Sequence, residues 1–239
     1  MPNYFESLGA EQADNFSVMT RQQADEQSLY DDLKTYDAVF FKGGNQANYY
    51  LDYKNTKLTQ AVQEIFEEGG VISGTSAGLA ILSDVIFTAE NGTVYSYEAL
   101  PDPNNQYMTL ADDFLNLFPG YIFDSHFVER SRFGRLIGFM GNWKLNNDED
   151  VVGVGVDDKT ALCIDREKIA RVYGTGAVRF YRPGENNNFR LSDGMLLADN
   201  IVASQLLHND AVDLKEFNFA GLSNDITPLK TYEDYPGTL

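Results

Sequence analysis

The first half of the chain alternates between apolar positions at helical spacing and short apolar runs. Leu29, Leu33 and Tyr36 recur at helical intervals, so the pattern predicts an amphipathic helix over residues 24–36. The uninterrupted apolar run Ala38–Phe41 comes next and is typical of a short buried strand. This change of period indicates a helix followed directly by a strand, as in α/β folds.

A second helix is indicated over residues 58–66, where the apolar side chains share one helical face. These positions are Leu58, Ala61, Val62, Ile65 and Phe66. The pair Gly69–Gly70 follows and suits the left-handed conformation in which many helices end. Val71–Ile72 is then predicted to be a strand, and Gly74–Gly78 joins it to a further apolar helix that begins near Leu79.

The later part of the chain is rich in strand patterns. After a strand at Tyr121–Phe123, a helix is predicted at Arg130–Met140, and the remaining apolar runs are short. The strands predicted from these runs are Val151–Val156, Thr160–Ile164, Ile169–Tyr173, Val178–Tyr181 and Ile201–Leu207. Pro183–Gly184 with Asn186–Asn188 indicates a loop before the last of them. We therefore expect an α/β first half and a strand-rich second half in a single domain, residues 1–239.

The charge balance and the cysteine count narrow the classes of function. The 18 Lys and Arg against 36 Asp and Glu give a net charge of −18, which repels nucleic-acid phosphates. Cys163 is the single cysteine and cannot form an internal disulfide, and with two His it is too little for a Cys/His zinc site. The acidic segment Asn146–Asp150 is interpreted as a solvated connection rather than a metal site.

No part of the sequence predicts association with a membrane. No apolar run approaches the roughly 18 residues that a membrane-spanning helix needs. The opening residues Met1–Glu6 lack a basic start and an apolar stretch, so they do not resemble a signal peptide. The sequence therefore predicts a soluble protein, and its compartment stays open between the cytoplasm and a secreted mature form.

The segment Gly74–Gly78 carries the strongest chemical signal. It has the form Gly-x-Ser-x-Gly between a predicted strand and a predicted helix, which is the setting of a nucleophile elbow. Small flanking residues allow a sharp turn that exposes the Ser76 hydroxyl, and the Ala77 N–H would be free to stabilise an oxyanion. The alternative interpretation is a glycine-rich turn whose serine caps the helix.

A serine nucleophile needs a general base and an acid that orients it, and the chain has two histidines. His126 directly follows the strand 121–123, and strand ends are where α/β folds place catalytic groups. His208 precedes Asn209–Asp210, a typical surface turn, which makes His126 the better candidate. Asp157–Asp158 ends an apolar strand with two carboxylates that point to opposite faces, so one of them is a candidate for the acid.

Two further segments offer groups that could bind a ligand. Gly43–Gly44 permits close approach of the backbone to a ligand, and Gln46 supplies both a donor and an acceptor. Arg130, Arg132 and Arg135 cluster in a chain with few cations and could hold a carboxylate through two parallel hydrogen bonds. The structural alternatives are an ordinary strand-to-helix loop and arginines paired with neighbouring acids.

Together these segments resemble the cyanophycinase and dipeptidase E family of serine peptidases, and cyanophycinases most. The resemblance runs from about Tyr4 to Leu206. In chain order it rests on Gly43–Gln46, Gly74–Gly78, Asp124–Phe127 with the three arginines, and Gly153–Asp158. It implies an α/β fold of the class I glutamine-amidotransferase (flavodoxin-like) type, in which a layered sheet carries helices on both faces and a strand-rich C-terminal part follows.

The resemblance also implies roles for individual residues. Ser76 becomes the nucleophile, His126 the base, Asp158 the orienting acid, and the amides of Ala77 and Gly44 the oxyanion donors. The residues that it implies for substrate binding are Gln46, Ser125, Arg130, Arg132 and Arg135. The implied substrate is an Asp-containing peptide or a β-aspartyl bond, the implied assembly is a homodimer, and neither a metal nor an organic cofactor is implied.

Three differences from the family pattern bear on function. Ser125 stands where the family has a Gln that helps to hold substrate. Asp158 stands where the family has Glu, so the acid is one methylene shorter and Asp157 stays open as the alternative. The family's first strand, which ends in a Gly-rich turn, has no counterpart in this sequence. These differences keep open a non-catalytic binding or assembly protein on the same fold, and a serine esterase or amidase of other specificity.

Overall fold

Short helices and strands alternate in a mixed α/β architecture in the computed structural model, which describes residues 2–217. The helices are α1 (Pro2–Ser7), α2 (Arg21–Ala24), α3 (Gln27–Leu33), α4 (Gln46–Tyr53), α5 (Lys57–Glu67), α6 (Ala77–Ala80), α7 (Ser96–Ala99) and α8 (Phe133–Asn147). The strands are β1 (Ala38–Phe41), β2 (Val71–Gly74), β3 (Ile86–Phe87), β4 (Leu110–Ala111), β5 (Tyr121–Ser125), β6 (Val152–Val156), β7 (Thr160–Ile164), β8 (Ile169–Gly174), β9 (Val178–Ser192), β10 (Met195–Leu206) and β11 (Ala211–Asp213). The last residues of the predicted domain, 218–239, lie outside the described part.

Parallel pairing brings the carboxyl ends of strands to the same edge. β1 pairs with β2 in parallel from Ala38 opposite Val71 to Phe41 opposite Gly74. β5 and β6 are also parallel, and antiparallel pairing extends this second sheet in the order β10-β9-β6-β5. β7, β8 and β11 form an antiparallel sheet, and β3 pairs with β4. The residues that follow β5 and β6 are therefore neighbours, although they lie far apart in sequence.

Apolar helix faces hold these strands in place. Val62 and Ile65 of α5 are buried in one cluster with Phe41 at the end of β1. Phe139 of α8 is fully buried in a second cluster that includes Ile122 of β5. The α5 helix ends as its sequence predicts, because Gly69 has φ +97° and the N–H of Gly70 donates to the Ile65 carbonyl at 2.8 Å.

The helix boundaries differ from the sequence predictions in two places. The helix predicted over residues 24–36 is shorter than expected, since α3 spans Gln27–Leu33. Ala24 is instead the last residue of α2, which ends because Asp25 has non-helical backbone angles, φ −100° and ψ 10°. The helix predicted at Arg130–Met140 begins three residues later and extends to Asn147. Its start is delayed because Ser131 has φ +50°, which is incompatible with a helix interior.

The loop predicted at Asn186–Asn188 is wrong, because these residues lie within β9 of a long β9–β10 hairpin. The polar residues mark an irregularity in the ladder instead. The register shifts between Asp199 and Ile201, and Asn186 and Asn200 both have φ +57°. The Asn200 side chain donates to the Asn186 carbonyl at 3.2 Å and bridges this bulge.

The outer edge of β1 has no strand partner within residues 2–217, since β1 pairs with β2 alone there. A cavity of about 300 Å³ lies beside this edge, lined by residues of β1 and by N-terminal residues such as Phe5 and Phe16. This is the part of the fold in which the chain was expected to differ from the family.

No helix in the described part is long and apolar enough to span a membrane.

Candidate active site

The turn between β2 and α6 places Ser76 in a strained backbone conformation. Its φ of 56° and ψ of −121° are rarely adopted by a residue with a side chain. The flanking glycines make the turn possible: a Cβ on Gly74 would lie 2.1 Å from the Gly78 carbonyl oxygen, and one on Gly78 would lie 2.3 Å from that of Phe41. The segment therefore has the geometry of a nucleophile elbow.

His126 lies immediately after β5 and connects the serine to an acid. Its Nε2 is 2.8 Å from Ser76 Oγ, so the hydroxyl can donate to this nitrogen when it carries no proton. Its Nδ1 contacts Asp158 Oδ1, and the imidazole side chain is 23% exposed. The ring thus bridges a hydroxyl and a carboxylate in the order that a catalytic triad requires. The structure brings these three predicted residues together.

Asp157, the alternative acid, has its carboxylate committed elsewhere. Arg179 Nη1 binds both oxygens, at 2.8 and 2.9 Å. The backbone N–H groups of Val128 and Ala177 donate to Asp157 Oδ1 and Oδ2 at 3.1 and 3.0 Å. Asp157 is buried, whereas the Asp158 side chain faces the histidine and is 46% exposed. The contacts therefore favour Asp158 as the partner of the imidazole.

The glycine loop after β1 lies against the serine. A Cβ on Gly43 would come within 3.1 Å of Ser76 Cβ and 3.6 Å of its Oγ, so the backbone here approaches the nucleophile closely. Gly44 has φ +155°. The Ala77 N–H has no hydrogen-bond acceptor in the part of the chain that the structure describes. Gln46 Nε2 donates to the Phe87 carbonyl, which leaves its amide oxygen as the group for a ligand.

Two of the predicted substrate-binding arginines are paired with a buried acid. Arg135 donates from Nε and Nη2 to the two oxygens of Asp124, at 2.8 and 2.7 Å. Arg132 Nη1 adds bonds to Asp124 Oδ1 at 3.1 Å and to the Ser125 carbonyl at 2.6 Å. Burial lowers the pKa of Arg132 to about 10, against the opposing effect of Asp124. This geometry does not support a direct role in substrate binding for Arg132 and Arg135.

Arg130 and Ser125 differ in how far a substrate could reach them. Arg130 is exposed, and its guanidinium has no hydrogen bond or ion pair with any residue in the range 2–217. Ser125 is 7% exposed at the end of β5. Of the three predicted arginines, Arg130 is therefore the one positioned to meet a ligand from solvent.

His208 has a structural environment. Its Nδ1 accepts a hydrogen bond from the Gly174 N–H at 3.2 Å, and its ring packs against Tyr173 with 6.0 Å between centroids. It lies in the turn after β10, as the sequence predicts.

The described residues contain no group of three or more His, Cys, Asp or Glu side chains arranged to hold a metal ion.

Glu129 and Asp124 were missed by sequence reasoning. Glu129 Oε1 accepts the backbone N–H of Asp158 at 3.0 Å, and no pattern in the sequence distinguishes this glutamate from other surface acids. Asp124 does carry a signal, because a carboxylate inside an apolar strand needs a cationic partner. The nearby arginines meet that need, which was the structural alternative for the cluster.

Comparisons with known proteins show the family of the chain. A sequence model of peptidase family S51 matches residues 1–172. Cyanophycinase of Trichormus variabilis is 28% identical over 182 residues, which are 76% of this chain and 57% of the relative. Cyanophycinase of Synechococcus elongatus is 29% identical over 180 residues, covering 75% of this chain and 52% of the relative. The chain thus spans just over half the length of these curated relatives.

A solved structure resembles the fold. The crystal structure of a peptidase from an acI-B1 Actinobacterium superposes with a TM-score of 0.56 at 19% identity, and the match covers 89% of this chain and 76% of that one. The elbow at Ser76 and the histidine after β5 both lie within the residues that the family model matches. The chain belongs to peptidase family S51.

Proposed function

We propose that this chain is a serine peptidase of cyanophycinase type that hydrolyses Asp-containing peptide or β-aspartyl bonds through an acyl-enzyme. The observation that carries the proposal is the continuous contact from Ser76 Oγ to His126 and on to Asp158. Relatives in the same family bear the name cyanophycinase, which supports the class of bond. The proposal includes a single domain with a class I glutamine-amidotransferase-like fold.

The proposed reaction follows from the order of these contacts. Ser76 Oγ attacks the carbonyl carbon as its proton passes to His126 Nε2, and Asp158 stabilises the imidazolium that forms. The imidazolium then protonates the leaving amine, which leaves an acyl-enzyme that a water molecule hydrolyses with His126 as base. The oxyanion of each tetrahedral intermediate is stabilised by the N–H of Ala77 and an amide of the Gly43–Gly44 loop.

The proposed substrate contacts use Arg130, Gln46 and Ser125, of which Arg130 is exposed and Ser125 is largely buried. Arg130 offers an exposed guanidinium to a substrate carboxylate in a chain whose net charge is −18. The amide oxygen of Gln46 and the residue Ser125 at the end of β5 complete the set. Ser125 is shorter than the glutamine of the family pattern, so we propose a different fit between substrate and protein at this position.

Replacing Arg130 with Gln is expected to raise KM for a carboxylate-bearing peptide by about tenfold, with a smaller change in kcat. The reason is the loss of a charge-assisted hydrogen bond that is made equally in the ground state and the transition state. Steady-state kinetics on an Asp-containing dipeptide measures the effect. Arg166→Gln is the matched control, because Arg166 is exposed in the β7–β8 turn. Equal KM values for the two variants would contradict this role of Arg130.

The proposal as a whole is tested by labelling with a fluorophosphonate, which reacts rapidly only with an activated serine. We expect the purified chain to be labelled, peptide mass mapping to place the label on Ser76, and Ser76→Ala to abolish it. A folded chain that takes no label would favour the non-catalytic binding protein. Label with turnover of esters but not of β-aspartyl dipeptides would favour an esterase or amidase.

A further inference from the structure

We propose that Glu129 is a positioning residue that holds Asp158 in place against His126. Two carboxylates join the loop after β5 to the turn after β6, and each accepts a backbone N–H of the other segment. Glu129 Oε1 accepts the N–H of Asp158 at 3.0 Å, and Asp157 Oδ1 accepts the N–H of Val128 at 3.1 Å. We call this pair of bonds the carboxylate clasp. The inference rests on the proposed function of the triad.

The Asp157 half of the clasp is the rigid half. Asp157 is buried and is held by Arg179 at 2.8 and 2.9 Å and by the Ala177 N–H at 3.0 Å, so its position is fixed by β9. Val128 is bound to it, and the N–H of the preceding Phe127 donates to the Val156 carbonyl at 3.2 Å. The loop that carries His126 is therefore docked on the end of β6 independently of Glu129.

The Glu129 half acts on the backbone of Asp158 itself, whereas the neighbours of Asp158 are held by residues 175–177. The Asp157 N–H donates to the Ala177 carbonyl and the Thr175 N–H donates to the Lys159 carbonyl, both at 3.1 Å. Asp158 lies in an exposed turn, its side chain is 46% exposed, and Lys159 after it has φ +54°. Its carbonyl accepts the Thr160 hydroxyl at 3.0 Å, a bond within the same turn. The bond from its N–H to Glu129 is the one in the described part of the chain that ties its backbone to the histidine loop.

The shorter acid makes this restraint matter for the reaction. Asp158 reaches the imidazole with one methylene fewer than a glutamate would have, so a small displacement of its backbone separates the carboxylate from Nδ1. A misplacement of about 1 Å in a catalytic group can reduce a rate by on the order of 10²-fold. Loss of the Glu129 bond leaves the loop docked through Asp157 and the fold intact, because Glu129 is exposed. The expected effect is therefore on rate and not on stability.

The test compares Glu129→Ala, which removes the acceptor, with Glu129→Gln, which keeps an acceptor oxygen without the charge. The readout is the rate of fluorophosphonate labelling at Ser76 over a range of probe concentrations, which separates the maximal rate from the half-saturating concentration. We expect Glu129→Ala to lower the maximal rate by about tenfold and to leave the half-saturating concentration within about twofold. Glu129→Gln should recover the rate to within about threefold of the parent.

The matched control is Asp165→Ala. Asp165 Oδ1 accepts the Ile169 N–H at 2.8 Å in an exposed turn at the opposite end of β7, so it has the same type of bond without the triad. We expect the parent rate for this variant and, for both Glu129 variants, melting temperatures within about 2 °C of the parent.

The outcomes separate this inference from the function on which it rests. An unlabelled parent chain would mean that the proposed function fails. A labelled parent with an equal rate in Glu129→Ala would overturn the positioning role alone. So would a loss in Glu129→Gln as large as that in Glu129→Ala, or a loss of rate that follows a loss of thermal stability.

Discussion

Replacing His126 with Ala is expected to lower kcat by at least about 10⁴-fold, while His208→Ala should leave kcat within about twofold. His126 Nε2 is 2.8 Å from Ser76 Oγ and takes the proton in the proposed reaction. Without the imidazole the hydroxyl has no base, and the leaving amine has no acid. His208 instead accepts the Gly174 N–H at 3.2 Å in a surface turn.

The measurement is peptide turnover by both variants, checked by circular dichroism for folding. Combining His126→Ala with Ser76→Ala should cost little more than either change alone, because residues that act as a unit are not additive. Comparable turnover in His126→Ala and the parent would refute the triad. A loss in His208→Ala equal to that in His126→Ala would mean that both changes lower kcat by disturbing the fold and not by removing a base.

Replacing Asp124 with Ala is expected to lower the free energy of unfolding by roughly 3–5 kcal/mol. Asp124 is 2% exposed and accepts hydrogen bonds from Arg135 at 2.8 and 2.7 Å and from Arg132 at 3.1 Å. Arg135 is 5% exposed, so the change leaves a buried guanidinium without its counter-charge. Thermal unfolding should show a fall in Tm on the order of 10 °C.

Two comparison variants test whether the lost stability comes from breaking a buried ion pair. Asp199→Ala removes the partner of Arg190 in an exposed pair on the hairpin, and we expect a cost below about 1 kcal/mol. Asp124→Ala combined with Arg135→Met removes both buried charges and should recover part of the lost stability. Equal losses for Asp124→Ala and Asp199→Ala would contradict the buried pair, as would a double variant less stable than Asp124→Ala.

Local patterns were sufficient to predict the strands that carry the site. Ala38–Phe41 and Thr160–Ile164 form strands with the predicted bounds, because uninterrupted apolar runs between turn residues leave few alternatives. The rule that functional groups follow strand ends pointed to Ser76 and His126. Ser76 follows β2, which pairs in parallel with β1, and His126 follows β5, which pairs in parallel with β6. The alternation of side chains along a strand predicted that Asp157 and Asp158 face different ways, but it left open which of them meets the histidine.

The sequence alone does not predict which side chains pair with each other across the fold. Nothing in the spacing of Arg130, Arg132 and Arg135 says which of the chain's 36 acids each one meets, and the answer depends on how α8 packs against β5. The Glu129 contact depends likewise on the docking of two loops. In the β9–β10 hairpin, asparagines that usually mark a loop allow a bulge, because their side chains can bond the backbone of the opposite strand.

The backbone angles of the two reactive residues have an evolutionary consequence. Ser76 has φ +56° and His126 has φ +48°, a region that glycine occupies with little penalty and other residues at a cost of about 1–3 kcal/mol each. Mutational drift under selection for folding alone would therefore favour glycine at both positions. A homologue that has lost its substrate but kept the fold should carry that trace, with glycine in place of the serine and the histidine and with higher thermal stability.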